Sequence, residues 1–149
     1  MLKEHNIPVY ERLEKVMKEN NKAIVVTATG TGKSYLTLEY AERHNLSALV
    51  VVPRCSIGKE WEALSDRFEY ITYHSFVRKH NYDKYSMVVF DEVHHAGATT
   101  WEKPITEFIN TTNKPVIGLT ADPKRYSDGG RDIWGIVIRW LSCRWIFSL

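Results

Sequence analysis

The chain has 149 residues, 44% of them hydrophobic and 26% charged, with a formal net charge of +2. That length accommodates one folded unit of the usual ~100–150 residues and not two. The composition excludes general disorder, and so small a net charge excludes a polycation that binds nucleic acid by charge alone.

In chain order, Val9, Leu13, Val16 and Met17 recur at i, i+4, i+7 and i+8, which predicts a helix closed by Asn20 and Asn21. The opening MLKEHNIPVYERL lacks the apolar stretch of a signal peptide. Two sparse cysteines, Cys55 and Cys143, form no C-x-x-C pair and suit a reducing compartment, so a cytoplasmic, intracellular location is expected. Five apolar runs rich in β-branched residues read as strands: AIVVTA from Ala23, ALVVV from Ala48, EYITY from Glu69, SMVVFDE from Ser86 and PVIGLTA from Pro115. Their hydrophobicity is continuous rather than alternating, as in strands covered on both faces. Between them Ile57, Trp61, Leu64 and Phe68 keep helical spacing, as do Trp101, Ile105, Phe108 and Ile109. Pro104 is compatible with the second of these helices only near its start. Strands alternating with helices predict an α/β fold, a parallel doubly wound sheet with helices on both faces and right-handed crossovers.

The end of the chain differs in character. Residues 124–149 hold five basic and two acidic side chains, leaving 15 basic against 16 acidic elsewhere. Residues 133–149 are apolar and contain three of the five tryptophans. This run is interrupted by Arg139 and Arg144 and falls short of the ~20 apolar residues of a membrane span. It reads either as a final strand or helix on the sheet or as a truncated or frame-shifted end.

Ligands of such sheets sit beyond the carboxyl ends of the strands, which here read TGTGKS, PR, TYHS, DEVHH and TADPKR. In TATGTGKS, Gly30 and Gly32 let backbone N–H groups close around phosphate oxygens, and the following helix adds its positive end. Lys33 would reach the β- and γ-phosphates and the Ser34 hydroxyl would ligate Mg²⁺. Thr27 stands where the strict G-x-x-x-x-G-K-[ST] loop has glycine. In MVVFDEVHH, Asp91 at the strand tip can hold Mg²⁺ while Glu92 polarises a water, because phosphoryl transfer needs both a metal and an oriented nucleophile. His94 and His95 lack the H-E-x-x-H spacing and any nearby cysteine, so they read as hydrogen-bonding side chains rather than a zinc site.

Taken in order and at these intervals, ATGTGKS, VVVPR, ITYHSF, FDEVHHAGATTW and GLTADPKR resemble motifs I, Ia, Ib, II and III of superfamily 2 helicases and translocases. The resemblance is to the group typified by the helicase subunit of type III restriction enzymes, whose second motif often reads D-E-x-H-H. It implies a P-loop NTPase, an N-terminal RecA-like ATP-binding domain over residues 1–132, with 133–149 as a tail of separate status. In that loop the turn depends on TGTGKS, and position 27 belongs to the end of the strand. Carried onto matching positions, Thr29, Gly30, Thr31, Gly32, Lys33 and Ser34 would bind the triphosphate, Asp91 with Ser34 the magnesium, and Glu92 the water, with Lys33 and Glu92 as catalytic residues. His94 with Thr120 and Ala121 would couple hydrolysis to movement. Arg54, Thr72 and Tyr73 would face a phosphodiester backbone, as positioning rather than sequence-reading contacts.

The implied cofactors are ATP and Mg²⁺. The implied partner is nucleic acid, DNA in preference to RNA, and no membrane partner is expected. Two features depart from the pattern: Glu11 where a glutamine often meets the adenine, and Asp122 in TADP where the motif usually reads T-A-T-P. These enzymes also close two RecA-like domains on ATP, and a 149-residue chain has no room for the second, which supplies arginines. A second chain is a candidate source of them. The expected function is the ATP-binding domain of a DNA or RNA helicase or translocase, weak in hydrolysis alone. The alternative is a regulatory module that binds nucleotide or nucleic acid without hydrolysis; a small-molecule kinase fits DEVHH and GLTA poorly.

Overall fold

The computed structural model describes residues 4–26, 32–78, 82–93, 101–120 and 145–147. A short 3₁₀ turn (Glu4–Asn6) leads into α1 (Ile7–Asn20), followed by β1 (Lys22–Val26), α2 (Lys33–Arg43), β2 (Ala48–Val52), α3 (Cys55–Leu64) and β3 (Phe68–Thr72). Then come α4 (Tyr73–Phe76), β4 (Met87–Phe90), α5 (Glu102–Thr111), β5 (Val116–Thr120) and β6 (Trp145–Phe147).

Local chemistry explains the helix boundaries. Pro8 sits in the first turn of α1, where a missing N–H costs nothing. Asn21 ends the helix at φ 61° and returns its N–H to the Met17 carbonyl, a left-handed cap that asparagine tolerates. Its side chain donates to the Asn113 carbonyl at 2.8 Å, tying the helix end to the approach of β5. Pro104 falls in the first turn of α5, as its ring requires. The spacing that ran from Ile57 to Phe68 is corrected here: α3 stops at Leu64, and Phe68 opens β3. The four-residue α4 was not legible in the sequence.

The strands form one sheet in the order β3-β2-β4-β5-β1-β6, and every pairing is parallel. Its two faces bury separate sets of side chains. Ala48, Val50 and Val52 of β2 join Val25, Met87, Val89, Ile117 and Leu119 under α1, α2 and α3. Leu49 and Val51 join Ile24, Val88, Phe90 and Val116 under α4 and α5. Alternate residues of one strand thus serve opposite layers, which is why the strands read as unbroken apolar runs. The expected doubly wound sheet with helices on both faces is the observed one. Three residues of the tail are strand, pairing alongside β1 with Ile24 opposite Trp145. Among the described residues no helix is long and apolar enough to cross a membrane.

Register aligns the strand tips: Val26 lies beside Thr120, Phe90 beside Gly118, and Val51 beside Phe90. The carboxyl ends of β1, β2, β4 and β5 therefore line up along one edge of the sheet.

Candidate nucleotide site

Gly32 precedes α2 with φ 84°, a left-handed backbone that glycine adopts without strain. A Cβ at this position would come within 2.9 Å of the Asn6 Nδ2. Glycine is thus needed for both the turn and the space. No side chain among the described residues caps α2, so the first turn keeps the N–H groups and positive end that attract an anion. Lys33 and Ser34 open that helix, both half-buried.

Opposite them, β4 delivers Asp91, only 5% exposed. Its backbone N–H still follows the ladder, donating to the Val51 carbonyl at 2.9 Å. Its carboxylate is enclosed by donors. Lys33 Nζ stands 3.6 Å from Oδ1, the Glu92 N–H donates to Oδ1 at 2.9 Å, and the Trp61 Nε1–H donates to Oδ2 at 2.9 Å. A carboxylate removed from water requires such partners. The Tyr73 hydroxyl donates to the Asp91 carbonyl at 2.8 Å. Burial, and then the Asp91 and Glu92 charges, push the Tyr73 hydroxyl well above its ordinary range, so it stays protonated and remains a donor. Glu92 turns the chain at φ 49°, a conformation uncommon for a residue with a side chain.

Lys33, Ser34, Asp91 and Glu92 therefore lie around one edge of the sheet. Thr120 ends β5 in the same row and is buried. Thr29, Gly30, Thr31, His94 and Ala121 lie outside the described residues, as does Asp122. Arg54 is exposed between β2 and α3. Thr72 is half-buried and its hydroxyl caps α4, accepting from the Ser75 N–H at 3.3 Å. Tyr73 corrects an expectation. With 0% exposure and its hydroxyl committed to Asp91, its ring stacks on Trp101 in the interior and does not present itself to a nucleic-acid backbone. Glu11 is exposed on α1.

Three neighbours of the site were not read in these roles. Trp61 was legible only as part of a helix's apolar face, and Tyr73 only as a nucleic-acid contact implied by motif Ib. Asn6 carried no signal at all.

The donor set fits a magnesium–nucleotide complex. No group of three or more His, Cys, Asp or Glu among the described residues could hold a metal by itself. Magnesium does not require one, since it takes one or two protein oxygens and completes its shell with waters and phosphates. Ser34 and Asp91 would be that pair.

A family model described as the type III restriction enzyme res subunit matches residues 1–79 and 71–125. No curated protein matches the chain in sequence. Among solved structures, the helicase domain of Pyrococcus furiosus Hef superposes with a TM-score of 0.67 at 20% identity, covering 93% of this chain and 36% of that one. The Sulfolobus solfataricus SWI2/SNF2 ATPase core, solved in complex with dsDNA, gives 0.70 at 20% identity over 95% of this chain and 36% of that one. A hypothetical ATP-dependent RNA helicase from Sulfolobus tokodaii gives 0.65 at 14% identity over 94% of this chain and 52% of that one. The chain thus spans 36% of the length of the first two.

Proposed function

This chain belongs to the family of the type III restriction enzyme res subunit, within the superfamily 2 helicases and translocases, and on that footing we propose that it binds ATP and Mg²⁺ as the N-terminal RecA-like domain of a nucleic-acid translocase. The observation that carries the proposal is the convergence of Lys33 on Asp91 at 3.6 Å, which joins the two motifs at the strand tips.

Bound there, Mg²⁺ supplies charge neutralisation between the phosphates. Ser34 and Asp91 hold it, and the first turn of α2 with Lys33 faces the phosphates. Glu92 orients the water that attacks. His94, Thr120 and Ala121 link hydrolysis to movement. Arg54 and Thr72 offer the backbone contacts, DNA being preferred to RNA because of the family. The second RecA-like domain, whether in this polypeptide or another, supplies arginines worth roughly 10³–10⁵ in rate, so this domain alone hydrolyses slowly.

An ATPase assay with single- and double-stranded DNA and RNA tests this. Slow hydrolysis that DNA stimulates is expected. Lys33→Ala should abolish nucleotide binding, and Glu92→Gln should retain binding while lowering turnover by roughly 10²–10⁴-fold. Tight binding without turnover under every condition would favour the regulatory module instead.

A further inference from the structure

Trp61 packs on the inner face of α3, 4% exposed, with its ring edge-on to Phe68 at 5.0 Å. Its single donor, the indole N–H, makes a buried bond to Asp91 Oδ2. The other carboxylate oxygen is engaged quite differently. Oδ1 meets the Glu92 N–H and, at 3.6 Å, the Lys33 ammonium, whose side chain is 24% exposed. Lys33 rides on a long flexible stem, whereas an indole has two rotatable bonds and this one is buried against Phe68.

We propose that Trp61 is a positioning residue for Asp91. Its N–H holds Oδ2, fixes the rotation of the carboxylate, and leaves Oδ1 turned toward Lys33 as the oxygen offered to the magnesium. Lys33 is needed at the phosphates when nucleotide binds and must then leave Asp91; Trp61 stays. This rests on the magnesium–nucleotide reading of the site. Partners behind a metal ligand typically contribute 10–100-fold to metal affinity, and a phenylalanine at 61 would keep the aromatic packing while deleting the donor.

The test is a magnesium titration of fluorescent ATP-analogue binding by the full chain, run for the wild type, Trp61→Phe, Asp91→Asn and the double variant, with binding in EDTA as the metal-free reference. Trp61→Phe should weaken the magnesium dependence about tenfold or more and leave binding in EDTA within about twofold. In the Asp91→Asn background the same substitution should change the magnesium dependence by less than about twofold, because the partner it serves is already altered. An unchanged magnesium dependence in Trp61→Phe, or an equal loss in both backgrounds, overturns the proposal. Absence of any magnesium-dependent binding in the wild type overturns the functional reading itself, which separates the two failures. Should Trp61→Phe fail to fold, ¹⁵N-indole spectra of wild type and Asp91→Ala decide. One indole N–H resonance should move upfield and exchange faster with water; no movement of any indole resonance refutes the bond.

Discussion

Glu92 occupies a left-handed backbone position at φ 49°, a conformation that costs a residue with a Cβ of order 1–3 kcal/mol. Glycine would relieve that strain and return part of the gain through its greater freedom when unfolded. Glu92→Gly is therefore expected to stabilise the fold by about 1 kcal/mol or less. It should also lose turnover along with the carboxylate. Urea unfolding beside the ATPase assay checks both, and a clearly destabilised variant would show that the Glu92 side chain supports the fold. The strain is retained where the chain must leave β4 and present a second carboxylate beside the first. Lys33, Ser34, Asp91 and Glu92 could be picked out in the sequence because phosphate loops and metal-bearing strand tips, where chains have them, dictate residue types at fixed offsets. Trp61 and Tyr73 were not, because the value of an indole or phenol hydrogen bond depends on a partner distant in sequence. Tyr73 was set against a phosphodiester backbone through the resemblance to motif Ib, whereas a four-residue helix turns it inward.

Between elements, the seam of α3 and β3 shows how one missing side chain sets an approach. Gly58 is buried, and a Cβ there would come within 2.2 Å of the Tyr70 ring of β3. Gly58→Ala must push α3 or the ring aside, a form of overpacking that costs about 1–3 kcal/mol. The urea midpoint should fall accordingly, and a midpoint equal to the wild type would mean that the ring rotates away freely. Because α3 carries Trp61, the displacement also bears on the carboxylate it touches. β2, β4 and β5 were readable to within a residue or two since both their faces are covered and their sequences show no polar alternation. The end of α3 was less readable: Phe68 continues the helical spacing of Ile57, Trp61 and Leu64 by coincidence, and its burial comes instead from the same cluster on that face of the sheet.

At the scale of the whole molecule, buried phenols shape the response to pH. Burial pushes the Tyr82 hydroxyl up to about 12 from its ordinary 10.0. The native state therefore keeps a proton that the unfolded chain releases near pH 10. Stability from this group is complete below about pH 10 and is lost as pH rises toward 12, with Tyr73 extending the loss to higher pH. Urea midpoints measured from pH 8 to 12 should stay level and then decline above 10, less steeply in Tyr82→Phe. A level midpoint throughout would contradict this. The layered architecture itself was legible from alternation and the carboxyl-end rule, whereas the position of each strand across the sheet was not, because β1 takes its neighbours from late in the chain. Lys22 pairs with Val116, and Ile24 with Trp145. During synthesis at about 5–20 residues per second, the strand leading into the phosphate loop thus waits roughly 5–20 s before its first lateral partner exists. Until then it is an open hydrogen-bonding edge, so on the ribosome the strand tips that carry the candidate nucleotide site are among the last parts that can close.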